Sequence, residues 1–346
     1  MGRHVRVRID GEMIIFGAGV VGKALYYACQ DKDIDVTAFC DSAKKGTFCG
    51  LPIIPLKDVD KYTHFIISVA DIGDVVDQLY DAGYTSWVSC LNILKGFDPS
   101  EHHFDEPMDF VEYAIDTAIT CHDYYNCDAV FLHSVDLIIT ERCSLRCKDC
   151  SNLMQYYDNP KDCDTTQLLK DIDALFDKVD FINEVRVLGG EPFMNKDWAF
   201  IVMRLIAETK LRHVVIYTNG TINPKDLQKI QSDKVLVLIT DYGKLSKSIS
   251  QLKWDLIKYG IPYYVQKASG WTSCSDISEH NRTDEENQAL FKACCVHNLK
   301  TLSNGVLHKC PFEANLARLG YKFDDACDWC NGRPYGAETI EPAIQR

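Results

Sequence analysis

The chain has 346 residues, 46% of them hydrophobic and 25% charged, a composition ordinary for a globular protein of two or three domains. Thirty-seven Lys and Arg stand against 50 Asp and Glu, a net charge of -13. That balance argues against a nucleic-acid backbone as the main partner, because phosphates are neutralised with basic side chains. No apolar run reaches membrane-spanning length, and the opening MGRHVRVRID lacks the apolar stretch of a secretory signal. The expected setting is cytoplasmic, with neither nucleic acid nor membrane as partner.

Residues 11–90 alternate between strand-like and helix-like runs: GEMIIF, then the helix VVGKALYYACQ, the strands DVTAFC and THFIISV, the helix DVVDQLYDAG and the strand SWVSC. Strands alternating with helices imply a small parallel sheet, a Rossmann-like domain over residues 1–95. The first strand–helix junction carries Gly17-x-Gly19-x-x-Gly22, and Asp41 ends the next strand. Such glycines permit a tight turn at a helix amino terminus that favours phosphate, and a strand-end carboxylate can meet a ribose hydroxyl. The run from Phe39 onward, with Gly50–Ile54, resembles the nucleotide-sugar-binding domain that precedes some bacterial sugar acyltransferases. The resemblance implies a nucleotide sugar or glycan precursor as ligand; a Rossmann-like domain that has lost its ligand is the other reading.

Residues 96–133 are acidic, aromatic and irregular, with one helix expected over Met108–Thr120, and read as a connection. A second alternating block follows, with strands at VDLIIT, EVRVL, HVVIYT, KVLVLIT and IPYYV. Helices are expected near Gln167–Val179, Trp198–Glu208, Lys225–Gln231 and Lys244–Tyr259. Strands and helices in this order suggest a partial parallel barrel over residues 134–285, with its site at the carboxyl ends of the strands.

There are sixteen cysteines, many for a chain with no export signal. Clustered ones then read as metal ligands and scattered ones as small buried hydrophobes. Cys29, Cys40, Cys49, Cys90, Cys121, Cys127, Cys163 and Cys274 fall in the second group.

Directly after VDLIIT stands Cys143-x3-Cys147-x2-Cys150. Thiolates are the ligands of iron–sulfur clusters, and three of them leave one iron open to another ligand. Zinc is the competing reading, but a closed zinc site takes four protein ligands, and no fourth Cys or His lies beside this loop. The loop resembles the signature of the radical S-adenosylmethionine (SAM) superfamily, C-x3-C-x-aromatic-C after the first barrel strand. Asp149 stands where that pattern has its aromatic. The resemblance implies an α/β fold built on a partial (β/α)6 barrel, a catalytic 4Fe-4S cluster on Cys143, Cys147 and Cys150, and SAM as cosubstrate. Reductive cleavage of SAM would then give a radical that removes a hydrogen atom from the substrate. A reducing donor such as flavodoxin or ferredoxin would supply the electron.

Further strand tips fit the same pattern. VRVLGGEPFMN ends in Gly189, Gly190 and Glu191, similar to the family's GGE motif, which holds the methionine amino group of SAM. Alone, that turn would be an ordinary tight turn. YTNGT presents Thr218 and Asn219, and ITDYG presents Thr240 and Asp241. Asn219 and Asp241 are candidate SAM contacts, Asp241 to the ribose; for Asp241 a turn or helix cap is the alternative.

The last segment, residues 286–346, has Cys295-x9-Gly305-x4-Cys310 followed by Cys327-x2-Cys330, with a hairpin expected around Gly305. It resembles the twitch form of the SPASM extension of radical SAM enzymes. This implies a second 4Fe-4S cluster on Cys310, Cys327, Cys330 and one of Cys294 and Cys295, with a slight preference for Cys294. A zinc ribbon is the alternative use of the pattern. The combined expectation is a radical SAM enzyme acting on a small sugar or nucleotide sugar. A peptide-modifying maturase and a non-enzymatic iron–sulfur or zinc protein are the alternatives. Arg282, Lys267 and several tyrosines could serve as substrate base, and nothing selects among them.

Overall fold

The computed structural model describes residues 13–268, 275–278, 280–292, 294, 296, 299–321 and the strand pieces 329–330, 333–334 and 338–339. Cys274, Cys295 and Cys327 lie outside the described residues, and only the backbone of Cys330 is described. The chain divides into two units, Met1–Asp128 and Ala129–Arg346.

In the first unit the elements run β1 (Met13–Phe16), α1 (Val20–Asp31), β2 (Ala38–Cys40), β3 (Gly46–Phe48), β4 (Leu51–Ile54), β5 (His64–Ile67), α2 (Ile72–Asp81), β6 (Trp87–Ser89), α3 (Leu91–Leu94) and α4 (Met108–Tyr124). The sheet order is β3-β4-β2-β1-β5-β6, parallel except for the edge strand β3. Sequence reading missed the β3–β4 hairpin, whose signal is the Cys49–Gly50 pair, both at positive φ as a tight hairpin turn requires. Its two faces pack separately. Ile15, Leu25, Phe39 and Ile66 form one apolar cluster, and Ile14, Phe65, Ile67 and Leu79 the other. The helix expected as a connection lies inside this unit: Val111, Ile115 and Ala118 of α4 are buried in the first cluster.

In the second unit the elements are β7 (Phe131–Ile138), α5 (Thr165–Lys178), β8 (Phe181–Leu188), α6 (Trp198–Ile206), β9 (Leu211–Thr218), β10 (Val235–Asp241), α7 (Ile249–Lys258), β11 (Tyr263–Lys267), α8 (Asp284–Lys292), β12 (Lys300–Ser303), β13 (Val306–His308) and α9 (Pro311–Arg318). The strands from β7 to β11 are parallel and adjacent in chain order, so the sheet is an open α/β arrangement of the partial-barrel kind. The sixth parallel strand departs from a (β/α)6 succession: β12 lies beside β7, at the other edge from β11. The hairpin decides this. Asn304 and Gly305, both at positive φ, turn β12 back into β13, so β12 enters the sheet as half of an antiparallel ribbon.

Two expected helices are shorter. Lys225–Gln231 contains only the 3-10 turn Leu227–Ile230, because Pro224 precedes it and Asp226 is left-handed. Lys244–Tyr259 becomes helical only from Ile249, after a separate turn over Gly243–Leu245.

Side chains of a strand alternate between faces. Val135, Leu137, Val185, Val187, Val214, Ile216, Val237 and Ile239 pack with Ile172, Leu205, Leu252 and Leu256 of the helices into one large core. The residues between them in sequence, including Asp136, Arg186, Tyr217 and Thr240, line a cavity instead. Among the described residues no helix is long and apolar enough to cross a membrane.

Candidate active site

The loop after β7 is fixed before any cofactor is considered. Gly190 N–H donates to Thr140 O (2.9 Å) and Glu191 N–H to Arg142 O (2.8 Å), which carries the β7–β8 pairing past the strand ends. Thr140 Oγ1 and Arg142 Nη1 donate to opposite oxygens of Asp162, at 2.7 and 3.2 Å. A methyl group on Gly190 would stand 2.2 Å from Arg142 O and 2.8 Å from Cys143 Cβ, so only glycine permits this approach.

Cys143, Cys147 and Cys150 line one cavity of about 270 Å³, together with Gly189, Gly190 and Asn219. Burial pushes the Cys143 thiol up to about 11, with the other two thiols and Glu191 adding to the effect. Cys147 is also raised, by burial and by Cys150. A metal deprotonates the thiols it binds, so three thiols around one cavity are a donor set that a bound cationic group would ionise. Among the described residues no three His, Cys, Asp or Glu side chains converge as ligands of a single ion would. A cuboidal cluster takes its thiolates at separate corners and needs no such convergence. The donor set therefore fits a cluster that Cys143, Cys147 and Cys150 would hold.

The strand tips differ from one another. Asn219 lines the cavity, with its amide Nδ2 3.7 Å from Cys143 Sγ and 3.1 Å from Ser144 Oγ. Glu191 follows the glycine turn but is fully buried and turned inward. Its carboxylate accepts from Thr218 Oγ1 (2.8 Å), Asn219 N–H (2.8 Å) and Phe193 N–H (3.3 Å), tying the β8 tip to the β9 tip. Burial pushes its carboxyl up to about 7, against those three donors. Asp241 Oδ1 accepts from Gly243 N–H at 2.7 Å, the turn geometry that was its alternative reading, while Thr240 and Tyr242 line the cavity.

Sequence reasoning missed four contributors. Tyr242 is pushed up to about 12, by burial first and then by the three facing thiols. Its only sequence signal is an aromatic residue just past a strand tip. Asp136 and Arg186 are in direct register on β7 and β8, and Arg186 Nε donates to Asp136 Oδ1 at 2.5 Å. The Arg186 guanidinium lies 5.1 Å from the Tyr217 ring centroid. In sequence these three residues sit inside apolar strands and announce nothing.

The second cysteine region adjoins this cavity through Leu299 and Pro311. The β12–β13 hairpin brings Cys310 near Cys294, whose charge contributes to the rise of the Cys310 thiol to about 11, a rise due first to burial. The candidate partners Cys295 and Cys327 fall outside the described residues, as does the side chain of Cys330.

In the first unit, Gly17, Gly19 and Gly22 form a tight turn at the carboxyl end of β1. A methyl on Gly22 would stand 2.0 Å from Gly17 O, so helix and turn meet there only through glycine. Strands β2 and β5 flank β1 on opposite sides, so the turn lies at the point where strand order reverses. Asp41 points into this turn: its carboxylate accepts from the N–H groups of Ala18, Ala43 and Lys44, each at 2.9 Å. These bonds hold it below the usual carboxylate range, although burial alone acts upward.

Residues 137–240 match the radical SAM superfamily model. The chain is 34% identical over 129 residues to GTP 3',8-cyclase of Clostridium acetobutylicum, covering 32% of this chain and 39% of that protein. It is 30% identical over 95 residues to the mitochondrial GTP 3',8-cyclase of Arabidopsis thaliana, covering 27% and 24%. It thus spans well under half the length of both relatives. Among solved structures it is similar to BtrN in complex with AdoMet and 2-DOIA, with 16% identity and a TM-score of 0.39 over 54% of this chain and 75% of that one. It is also similar to Streptococcus suis SuiB bound to the precursor peptide SuiA, with 16% identity and a TM-score of 0.34 over 63% and 51%. The segment that carries the three cysteines, the glycine turn and the Asn219 tip thus matches as a radical SAM superfamily domain.

Proposed function

We propose that this chain is an enzyme that binds a 4Fe-4S cluster on Cys143, Cys147 and Cys150 and cleaves SAM reductively. Its substrate in this reading is a small sugar or nucleotide sugar. The observation that carries the proposal is the meeting of the three thiols with Gly189, Gly190 and Asn219 around one cavity at the carboxyl ends of parallel strands.

When bound, such a cluster supplies one electron to the sulfonium of SAM, releasing methionine and the 5′-deoxyadenosyl radical that takes a hydrogen atom from the substrate. The chain's own residues position the partners. Gly189 and Gly190 let backbone reach the ligand, while buried Glu191 fixes Thr218 and Asn219 rather than touching the ligand itself. Asn219 offers a side-chain amide, and Tyr242 offers the aromatic face that Asp149 does not. Cys294 and Cys310, with Cys330 and the remaining cysteines of the extension, would hold a second cluster that accepts the electron left on the substrate. A flavodoxin or ferredoxin would reduce the first. The glycine turn of the first unit supports the nucleotide-sugar reading.

Anaerobic reconstitution with iron and sulfide, followed by strong reductant and SAM, is expected to yield 5′-deoxyadenosine. No 5′-deoxyadenosine from fully loaded protein, with candidate sugars supplied, would overturn the proposal.

A further inference from the structure

The floor of the cavity carries an ion pair that the reading above leaves without a role. Asp136 is 1% exposed, whereas the Arg186 side chain keeps 23% of its surface and borders the cavity with Tyr217. A buried ion pair is a poor way to stabilise a fold, because desolvation offsets most of the attraction and an apolar pair of similar volume does as well or better. On the opposite face of the two strands the flanking residues Val135, Leu137, Val185 and Val187 are apolar, so the pair stands where the strands meet the cavity.

The charges decide what this floor can take. Asp136 and Arg186 are the only carboxylate and the only cationic side chain among the described residues lining the cavity. Behind them Glu184 is buried and accepts from Ser134 Oγ at 2.7 Å, which adds a further carboxylate beneath the floor. A phosphate site presents surplus cationic charge or a row of backbone N–H groups. Here the single guanidinium is already neutralised through Nε, and its terminal nitrogens keep hydrogen-bond donors but no spare charge. Donors on a neutral pair beside a tyrosine suit hydroxyl oxygens.

We infer that Asp136, Arg186 and Tyr217 form the recognition element for the reacting part of the substrate, and that they select an uncharged polyhydroxylated ring over a phosphorylated one. The inference rests on the proposed function and deepens it. A nucleotide sugar would place its sugar here and its phosphates elsewhere. A nucleoside triphosphate such as that named for the curated relatives would not seat its phosphates on this floor.

The test is calorimetric titration of the reconstituted full chain with SAM present, using N-acetylglucosamine and N-acetylglucosamine 6-phosphate as probes. The uncharged sugar is expected to bind at least about tenfold tighter, and Asp136→Asn is expected to narrow or reverse that ratio by leaving Arg186 unneutralised. Tighter binding of the 6-phosphate by the unaltered protein, or no binding of the uncharged sugar, overturns the inference without calling on any variant. Formation of 5′-deoxyadenosine by the unaltered protein with candidate sugars supplied is measured alongside. Its absence counts against the SAM reading, and its presence with reversed sugar selectivity counts against this inference alone.

Discussion

Arg318 Nη2 donates to Glu141 Oε1 at 2.9 Å, and both side chains are only 5% exposed. Glu141 lies two residues before Cys143, and Arg318 ends α9, the helix that Cys310 caps. The pair therefore joins the first cysteine loop to the helix after the hairpin. The other Glu141 oxygen accepts from Lys161 N–H (3.0 Å), and Arg318 Nη1 donates to Ser303 Oγ (3.1 Å). Removing one partner leaves a buried charge uncompensated, so Arg318→Met is expected to cost about 3–5 kcal/mol. Paired with Glu141→Gln it is expected to regain part of that loss. Denaturant unfolding of the full chain measures both, and a single-variant cost below about 1 kcal/mol would show that the pair does not secure the junction.

Cys147→Ala is expected to lower iron by about four atoms per chain and to abolish 5′-deoxyadenosine formation. Cys163→Ala serves as the comparison. That thiol, raised to about 11 by burial, lies near Asn195 and does not line the cavity. Its iron content should equal that of the unaltered protein, and equal iron in both variants would remove Cys147 from the ligand set.

Glycine substitutions should split sharply. Gly190→Ala forces a methyl against Arg142 O, a backbone atom that cannot give way without moving the cysteine loop. The expected cost is about 3 kcal/mol, with weakened iron loading. Gly19 has nothing within 4 Å of a built methyl, so Gly19→Ala is expected to change stability by less than about 1 kcal/mol. Thermal unfolding and iron analysis separate the two.

His122 gives a pH dependence. Its Nε2–H donates to Val69 O (2.8 Å), so Nδ1 accepts from Ser89 Oγ at 2.7 Å and the ring is neutral. Burial lowers its pKa from the ordinary value of 6.5, against the Val69 bond. The unfolded chain therefore binds a proton at a higher pH than the folded one. The contribution to stability is complete above 6.5 and is lost as pH falls below it toward the folded pKa. Amide exchange along α4 is expected to quicken as pH-corrected stability falls below pH 6.5, and His122→Gln is expected to flatten that trend. An unchanged slope in the variant would assign the dependence to other groups.

What was legible in the sequence was local. The cysteine spacing, the glycine turns and the Asn304–Gly305 hairpin each need only a few neighbouring residues to specify a backbone path, and periodicity alone marked the strands β7 to β11. Where a carboxylate points was not legible. Glu191, Asp241 and Asp41 stand at the expected strand tips, yet each is engaged by nearby N–H or hydroxyl donors, a choice made by how adjacent loops pack. The cavity floor was the least visible part. Asp136, Arg186 and Tyr217 lie far apart along the chain, inside segments that read as apolar strands. Parallel register sets Asp136 opposite Arg186, and the two-residue alternation turns both inward. Which residues could hold a cluster is readable from the chain order alone, because ligand spacing is a property of one loop. Only the tertiary structure settles which charges face the cavity, because that depends on strands meeting edge to edge.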